Sequence, residues 1–271
     1  MKPIRVALSG SGFRLGAHLG ALMAIDAAGY EVSQLAGTSG GSIVAALVAA
    51  GVPLPDLRGL LMSVDWAPLM SFSPWSLLTK QALCSGDALL AFLTEKTGGK
   101  TFAQVGIDLK IIASDLVTEK EFVFSKATTP DVPIALAARA SASIPLVFAP
   151  VEYNGACLQD GGMCDNIPAG HLTVDAVPRL GIYLVSDDPP LLPAKRSLID
   201  LAPRIIDMLL ASNEASHVAL DTKNGAHIIP IETAFASSFD RHMTSAIRAK
   251  LFNTGYATTK AALSALSPSS L

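Results

Sequence analysis

Short apolar runs alternate along the chain with longer stretches of helical character. Runs of strand length lie at residues 4–9, 109–114, 121–125, 148–153, 179–185 and 226–231, and a shorter one lies at 34–36. Helical stretches lie between them, at residues 17–28, 41–50, 87–96, 132–141, 197–219 and 242–266. Such alternation is typical of a mostly parallel sheet with helices packed on both faces. We therefore predict an α/β three-layer sandwich, in which ligands bind at the carboxyl ends of the strands.

The turn after the run at 34–36 has the sequence Gly-Thr-Ser-Gly-Gly, residues 37–41. A Gly-x-Ser-x-Gly turn between a strand and a helix is a nucleophile elbow, because its tight backbone leaves no room for a Cβ beside the serine. The hydroxyl of Ser39 is then exposed at a helix N-terminus, where backbone N–H groups and the helix dipole favour a developing negative charge. A plain structural turn is the alternative interpretation of these five residues alone.

Two further glycine-rich turns follow strand-like runs. Residues 10–16, Gly-Ser-Gly-Phe-Arg-Leu-Gly, connect the first strand to a helix, and their consecutive N–H groups form an anion cradle. Residues 159–162, Gln-Asp-Gly-Gly, place a single acid, Asp160, on a turn after the run at 148–153. An aspartate before glycine commonly caps its own turn, which is the alternative for Asp160 taken alone. Together, the serine, the cradle and the aspartate are the parts of a catalytic dyad.

The order of these three turns is that of the patatin-like phospholipases, and the chain resembles this family from residue 6 to about residue 168. Residues 140–145 and 148–151, which lead to the aspartate, and residues 166–168 after it also resemble the family. The resemblance implies one catalytic domain over residues 1–271, with its motifs in residues 4–170. It implies a serine hydrolase of phospholipase A type, a lipid acyl hydrolase. Ser39 would be its nucleophile, acylated during turnover, and Asp160 its base, without a histidine between them.

The resemblance also assigns the residues around the dyad. The amides of Gly10, Ser11 and Gly12, joined by that of Gly40, would form the oxyanion hole. Arg14 would brace this loop, and phosphate binding is the alternative for its side chain. Two positions depart from the family pattern, in which Ser11 and Leu15 are replaced by glycines. An L-residue at Ser11 restricts the loop to negative φ.

The composition limits the partners of the protein. Half of the residues are hydrophobic and 16% are charged, against roughly 25% in typical proteins, which fits a well-buried parallel sheet with apolar surface left for a partner or lipid. A formal net charge of -3 argues against nucleic acid and gives no electrostatic reason to bind anionic membranes. We expect an acyl lipid or small ester as substrate, and transient contact with a membrane surface is left open. The oligomeric state is not indicated, and neither a cofactor nor a metal is expected, since no metal-binding loop is present.

The sequence shows no linker and no internal repeat, which favours a single domain. The proline-rich residues 187–193 are interpreted as a surface loop. Residues 66–78 contain both tryptophans and form either a flap over an acyl pocket or an ordinary cap on the core. Residues 32–55 lack charge, yet they fit a strand, turn and helix better than a membrane span. Since no signal peptide is visible and the three cysteines cannot all pair, we expect a reducing compartment and a cytoplasmic location.

Three alternatives to a dyad hydrolase are open. A lipid- or protein-binding module without turnover would explain the altered oxyanion loop. A nucleotide-binding enzyme would need glycine in place of Leu15 to complete a Gly-x-Gly-x-x-Gly loop. A histidine could also complete a triad. Of the five histidines, His18 is interpreted as structural and the other four lie in no recognisable motif.

Overall fold

The computed structural model describes residues 1–70, 82–185, 204–205, 207–209, 212 and 214–265. Four expectations lie wholly or partly outside these residues. They concern the proline-rich loop at 187–193, residues 71–78 of the tryptophan-containing segment, residues 197–203, 206, 210–211 and 213 of the helix predicted at 197–219, and residue 266 of the helix predicted at 242–266.

Eight strands and seven α-helices are found within the described residues. The strands are β1 (Lys2–Leu8), β2 (Tyr30–Thr38), β3 (Asp108–Asp115), β4 (Lys120–Ser125), β5 (Val151–Tyr153), β6 (Ala156–Asp160), β7 (Arg179–Val185) and β8 (His227–Glu232). The helices are α1 (Leu15–Ala27), α2 (Gly40–Ala49), α3 (Leu54–Ser63), α4 (Asp87–Thr97), α5 (Ile134–Ser141), α6 (Glu214–Lys223) and α7 (Ser245–Ala265). Two short 3₁₀ turns cover Gly161–Met163 and Pro168–His171.

The strands form one mixed sheet in the order β5-β6-β3-β2-β1-β7-β8, and β4 pairs with β3 beside this path. The five strands from β3 to β8 in this order are parallel, whereas β4, β5 and β6 pair antiparallel. The predicted α/β fold with a mostly parallel central sheet is therefore confirmed. Because β1 and β2 are central and parallel, the turns that follow them lie at the same sheet edge, as expected for a ligand site.

The two faces of the sheet bury unequal cores, because successive side chains of a strand point to opposite faces. Val6 and Leu8 of β1 belong to a large cluster that includes side chains of α1, α2, α3, α4, α5 and α7. Ala7 belongs to a small cluster on the other face, with Ala169 of the second 3₁₀ turn and Ala226, which lies just after α6. The small side chains let that 3₁₀ turn pack close to the sheet.

Several elements differ from the prediction. Strand β2 begins at Tyr30 rather than at the apolar run, because its first half pairs with β1. This half alternates in burial and therefore shows no continuous apolar run in the sequence. Helix α3 was not predicted; it follows Pro53 and carries a proline in its first turn, where a missing N–H costs nothing. The run at 148–153 is a strand only from Val151, after Pro150, which cannot donate a ladder hydrogen bond.

The hairpin between β5 and β6 places the aspartate turn at the end of a strand. Asn154 and Gly155 connect the two strands with φ of 48° and 84°, and Asn-Gly is the preferred pair for such a turn. Strand β6 then pairs antiparallel with β3 and ends at Asp160. Residues 32–55 lie largely in β2 and α2, as predicted, and none of the described helices combines the length and apolar character needed to cross a bilayer.

Candidate active site

Ser39 lies between the end of β2 and the first residue of α2. Its φ of 50° and ψ of -124° are unusual for a residue with a side chain, and strain of this kind is concentrated at functional sites. The positions two residues before and after Ser39 have room only for glycine. A Cβ on Gly37 would lie 2.8 Å from the Cα of Ser42, and a Cβ on Gly41 would collide with the carbonyl of Leu8. The Ser39 N–H is held by the Oγ of Ser141, at 2.8 Å. The turn therefore has the geometry predicted for a nucleophile elbow.

The structure brings the predicted serine and aspartate together. Oγ of Ser39 donates a hydrogen bond to Oδ2 of Asp160, at 2.7 Å, and both residues are buried. The other carboxylate oxygen, Oδ1, accepts the N–H of Gly162 at 2.9 Å. The backbone N–H of Asp160 donates to the carbonyl of Ser143, and its carbonyl accepts from Oγ of Ser114. The backbone of Asp160 is thus held by β3 and by the segment after α5, and its carboxylate is held by Ser39 and Gly162.

Burial raises the pKa of Asp160 to about 6, and the hydrogen bonds from Ser39 and Gly162 oppose this increase. An ordinary aspartate, with a pKa near 3.9, is a weak base at neutral pH. A base works best when its pKa lies close to the operating pH while it is still ionised. The buried position thus makes Asp160 a better proton acceptor than its sequence context suggests.

The loop after β1 packs directly on the elbow. Ser11 has a negative φ, as its side chain requires, and the left-handed residue of the loop is Gly12, with a φ of 53°. A Cβ on Gly40 would collide with the Oγ of Ser11, so the two turns approach as closely as glycine permits. The replacement of glycine by Ser11 therefore imposes no backbone strain on this loop.

The four predicted oxyanion donors do not have equivalent surroundings. The N–H of Gly10 donates to the carbonyl of Asn166, at 3.0 Å, and to its Oδ1, at 3.2 Å. Within the described residues, no group accepts a hydrogen bond from the amides of Ser11, Gly12 or Gly40. These three residues line cavities that also expose Ser39. The geometry leaves them as the free donors, whereas the amide of Gly10 anchors the loop.

Arg14 is buried beneath the loop. Its Nε donates to the carbonyl of Ser11 at 3.1 Å, and its terminal nitrogen donates to Oγ1 of Thr233 at 2.8 Å. The N–H of Phe13 donates to the carbonyl of Ser238 at 3.0 Å. The chain after β8 therefore supports the loop, a role for Thr233 and Ser238 that no sequence signal indicated. Asn166, by contrast, belongs to the recognised segment 166–168 and was not assigned to the site.

None of the described histidines hydrogen bonds to Ser39 or Asp160. The Nε2 of buried His18 is 2.8 Å from the carbonyl of Ser9, and burial lowers the pKa of this histidine to about 3. His171 and His217 instead contact Asp165, five residues after the dyad aspartate. The described part of the site thus contains a serine and an aspartate in direct contact.

Within the described residues, Glu121, Asp165 and His171 form the one group of potential metal ligands whose donor atoms lie within 4.8 Å of one another. His171 lies between the two acids, with its Nε2 3.1 Å from Glu121 and 3.5 Å from Asp165. Burial alone lowers the pKa of His171, but hydrogen bonds to these two carboxylates raise it to about 9. The protonated imidazole therefore already compensates one of the two carboxylate charges in the cluster.

Two cavities of different chemistry meet at Ser39. One, which we call the polar cavity, has a volume of about 440 Å³ and is lined by polar and charged side chains that include Arg14, Asn166, Tyr183, Arg204, Asp207 and Glu214. The other, which we call the apolar cleft, has a volume of about 40 Å³ and is lined by Phe13, Ile43, Trp66, Met70, Leu89 and Phe148. Gly12, Ser39 and Ile144 line both. An amphipathic molecule could place its two ends on opposite sides of the serine.

Comparison with known proteins agrees with this fold. The sequence model of the patatin-like phospholipase family matches residues 6–173, and the chain belongs to this family. It is similar to the uncharacterized protein YqhO of Bacillus subtilis, at 28% identity over 91% of this chain and 93% of that protein. It is also 28% identical to a protein of Invertebrate iridescent virus 6 named probable lipid hydrolase 463L, over 59% of this chain and 60% of the viral protein.

Among solved structures, VipD from Legionella pneumophila has a similar fold. It superposes with a TM-score of 0.64 at 17% identity, covering 97% of this chain and 67% of VipD. At this level of identity the similarity concerns the fold alone.

Proposed function

We propose that this protein is a serine acyl hydrolase that cleaves carboxylic esters of phospholipids or related acyl lipids. The observation that carries the proposal is the 2.7 Å hydrogen bond from Ser39 Oγ to Asp160 Oδ2 in a site rimmed by free amides. Family membership and the name of the viral relative support a lipid substrate.

In the first half of the reaction, Asp160 accepts the hydroxyl proton as Ser39 Oγ attacks the ester carbonyl carbon. The carbonyl oxygen becomes an oxyanion, which the amides of Ser11, Gly12 and Gly40 stabilise together with the N-terminus of α2. The C–O bond to the alcohol then breaks, and the alcohol leaves with the proton from Asp160. The acyl group remains on Ser39 as an ester.

In the second half, Asp160 removes a proton from water, and the resulting hydroxide attacks the acyl carbon. The bond to Ser39 Oγ breaks, the serine regains the proton from Asp160, and the fatty acid leaves. One base therefore serves both halves of the reaction, which is consistent with its pKa of about 6.

The two cavities suggest how the ester is oriented. The apolar cleft suits the first carbons of an acyl chain, since burying each methylene contributes about 0.8 kcal/mol. The polar cavity is larger and suits the alcohol or head group. A transient approach to a lipid surface is compatible with this orientation.

The test is a panel of chromogenic esters of increasing acyl length, combined with a fluorophosphonate label. We expect the wild-type protein to hydrolyse the esters and to be labelled on Ser39. Ser39→Ala should lose both properties, whereas Ser63→Ala, which removes an exposed hydroxyl on α3, should retain both. Folded wild-type protein that neither hydrolyses any ester nor reacts with the label would contradict the proposal and favour the alternative, a binding module without turnover.

A further inference from the structure

The dipeptide Asp165-Asn166 contacts all three parts of the proposed active site through its backbone. The carbonyl of Asp165 accepts from Oγ1 of Thr38, at 2.8 Å, and Thr38 immediately precedes the nucleophile. The carbonyl of Asn166 accepts from the amide of Gly10, the first residue of the oxyanion loop, at 3.0 Å. The N–H of Asp165 donates to the carbonyl of Gly161, next to Asp160, at 2.9 Å. The position of this dipeptide therefore sets the spacing of the nucleophile, the base and the loop.

The side chain of Asp165 is buried and held from two directions. His217 of α6 lies with Nδ1 2.8 Å from Oδ1, and His171 of the second 3₁₀ turn lies with Nε2 3.5 Å from Oδ2. The N–H of Ile167 also donates to Oδ1, at 3.0 Å. Burial raises the pKa of Asp165, but hydrogen bonds from the two histidines lower it below its usual value overall. Removing such partners from a buried carboxylate strongly destabilises the folded protein.

Helix α6 holds the dipeptide at a second point, one turn before His217. Oε1 of Glu214 accepts a hydrogen bond from Nδ2 of Asn166, and Oε2 accepts from the hydroxyl of Tyr183 at 2.6 Å. Residues three apart lie on the same face of a helix, so Glu214 and His217 act on adjacent residues of the loop. Glu214 and Tyr183 also line the polar cavity.

We propose that His217 is a positioning residue: by donating to Asp165, it fixes the dipeptide that sets the distance between Ser39 and the oxyanion loop. The inference rests on the proposed hydrolase function and extends it to a helix beyond residue 173, where the family match ends. Its action is indirect, because His217 contacts Asp165 and not the reacting atoms. Small displacements of reacting groups can lower rates by about 100-fold, so the contact is expected to affect turnover rather than substrate affinity.

The experiment compares substitutions of His217 that differ in where they place a donor. His217→Ala removes the donor, His217→Asn keeps an N–H near the position of Nδ1, and His217→Gln moves it outward by one methylene. Ser216→Ala, at the exposed neighbouring position of α6, is the matched control. For each protein, kcat and KM on a soluble short-chain ester, the rate of fluorophosphonate inactivation and the melting temperature are measured.

We expect His217→Ala to lower kcat and the inactivation rate by about 10-fold to 100-fold, with KM within about twofold of the wild type. His217→Asn should recover most of the loss, His217→Gln should be intermediate, and Ser216→Ala should match the wild type. If His217→Ala does not fold, the comparison between the asparagine and glutamine variants carries the test.

Two results would overturn the inference. One is a set of folded variants whose melting temperatures fall while kcat and the inactivation rate per folded molecule stay unchanged, which would make the contact purely structural. The other is equal loss in the asparagine and glutamine variants. Failure of the wild type itself to hydrolyse esters and to be labelled would instead overturn the proposed function together with this inference.

Discussion

The apolar cleft and the polar cavity share Ser39 but take their walls from different parts of the chain. The cleft is lined by residues between Gly12 and Phe148, all within the stretch that matches the family. Much of the cavity wall comes from beyond residue 173, including Tyr183, Glu214 and Phe239. If the cleft holds the acyl chain, as proposed, the stretch that matches the family model supplies the acyl contacts, and the region beyond residue 173 supplies most of the contacts to the alcohol.

The largest effect on activity is expected at Asp160, because it contacts Ser39, the residue that the apolar cleft and the polar cavity share. Asp160→Asn removes the proposed base but keeps groups able to hydrogen bond to Ser39 and Gly162. We expect kcat to fall by about 1,000-fold, within the range attributed to general bases, and by the same factor for short and long acyl esters and for different alcohols. Steady-state kinetics on the ester panel measure this. A loss of kcat restricted to one class of ester would show that Asp160 acts on the part of the substrate held in one cavity rather than on Ser39.

The same substitution should stabilise the fold at neutral pH. Burial raises the pKa of Asp160 to about 6, so the folded state favours the protonated carboxyl. The contribution of Asp160 to the free energy of unfolding is therefore complete below about pH 4 and is lost as the pH rises through about 6 and the buried group ionises. Asp160→Asn cannot ionise, so we expect it to exceed the wild type in unfolding free energy by about 2 kcal/mol at pH 7. At pH 4 the difference should shrink. Denaturant unfolding at both pH values measures it, and a difference independent of pH would exclude ionisation of Asp160 as its cause.

The pH dependence of activity also distinguishes the apolar cleft from the polar cavity. The described residues lining the apolar cleft carry no ionisable side chain, while those lining the polar cavity do. If Asp160 is the base, kcat/KM should fall about tenfold per pH unit below an apparent pKa near 6, because the protonated acid cannot accept the serine proton. The acidic limb should be identical for esters of short and long acyl groups. If the apparent pKa of the acidic limb changed with the alcohol part of the ester, the titrating group would be a side chain of the polar cavity rather than Asp160.

Ile43→Phe should narrow the apolar cleft and leave the polar cavity unchanged. Ile43 lies on α2 and lines the cleft. A larger side chain there should exclude the outer methylenes of a chain, each contributing about 0.8 kcal/mol. We expect the ratio of octanoate to acetate hydrolysis to fall by about tenfold while acetate hydrolysis changes little. Val48→Phe, a similar enlargement on the same helix outside the cleft lining, is the control and should leave the ratio unchanged.

The smallest effect is expected at Leu146, between Ile144 and Phe148 of the cleft wall. Leu146 has a φ of 67° and is 62% exposed. A side chain in this conformation costs about 1–2 kcal/mol, of which the greater flexibility of glycine cancels about half. Leu146→Gly should therefore raise the melting temperature by about 1–3 °C. Leu220→Gly, at a similarly exposed helical position, should lower it; a decrease in both would show that the leucine makes a contact that outweighs its strain.

The elements that the sequence predicted well are those whose signal is local. Alternating apolar runs predicted the parallel strands, and the structure brings the three glycine-rich turns together. Local signals gave the wrong strand bounds where the pairing partner decides the structure. Strand β2 extends back to Tyr30, because it pairs with β1 over that length. The Asn-Gly pair before β6 is a local hairpin signal, although the hairpin of β5 and β6 was not predicted.

Glycines at fixed spacing around Ser39 and after Asp160 indicate from the sequence alone which residues could perform the proposed chemistry. The pKa of Asp160 and the contacts that hold the site in place, by contrast, arise only when the chain folds. The raised pKa of Asp160 depends on burial by distant segments, and the supports at Asn166, Thr233 and His217 come from loops and helices far along the chain. Backbone conformation is governed by neighbouring residues, whereas electrostatics and support of a site depend on which remote segments the sheet brings together.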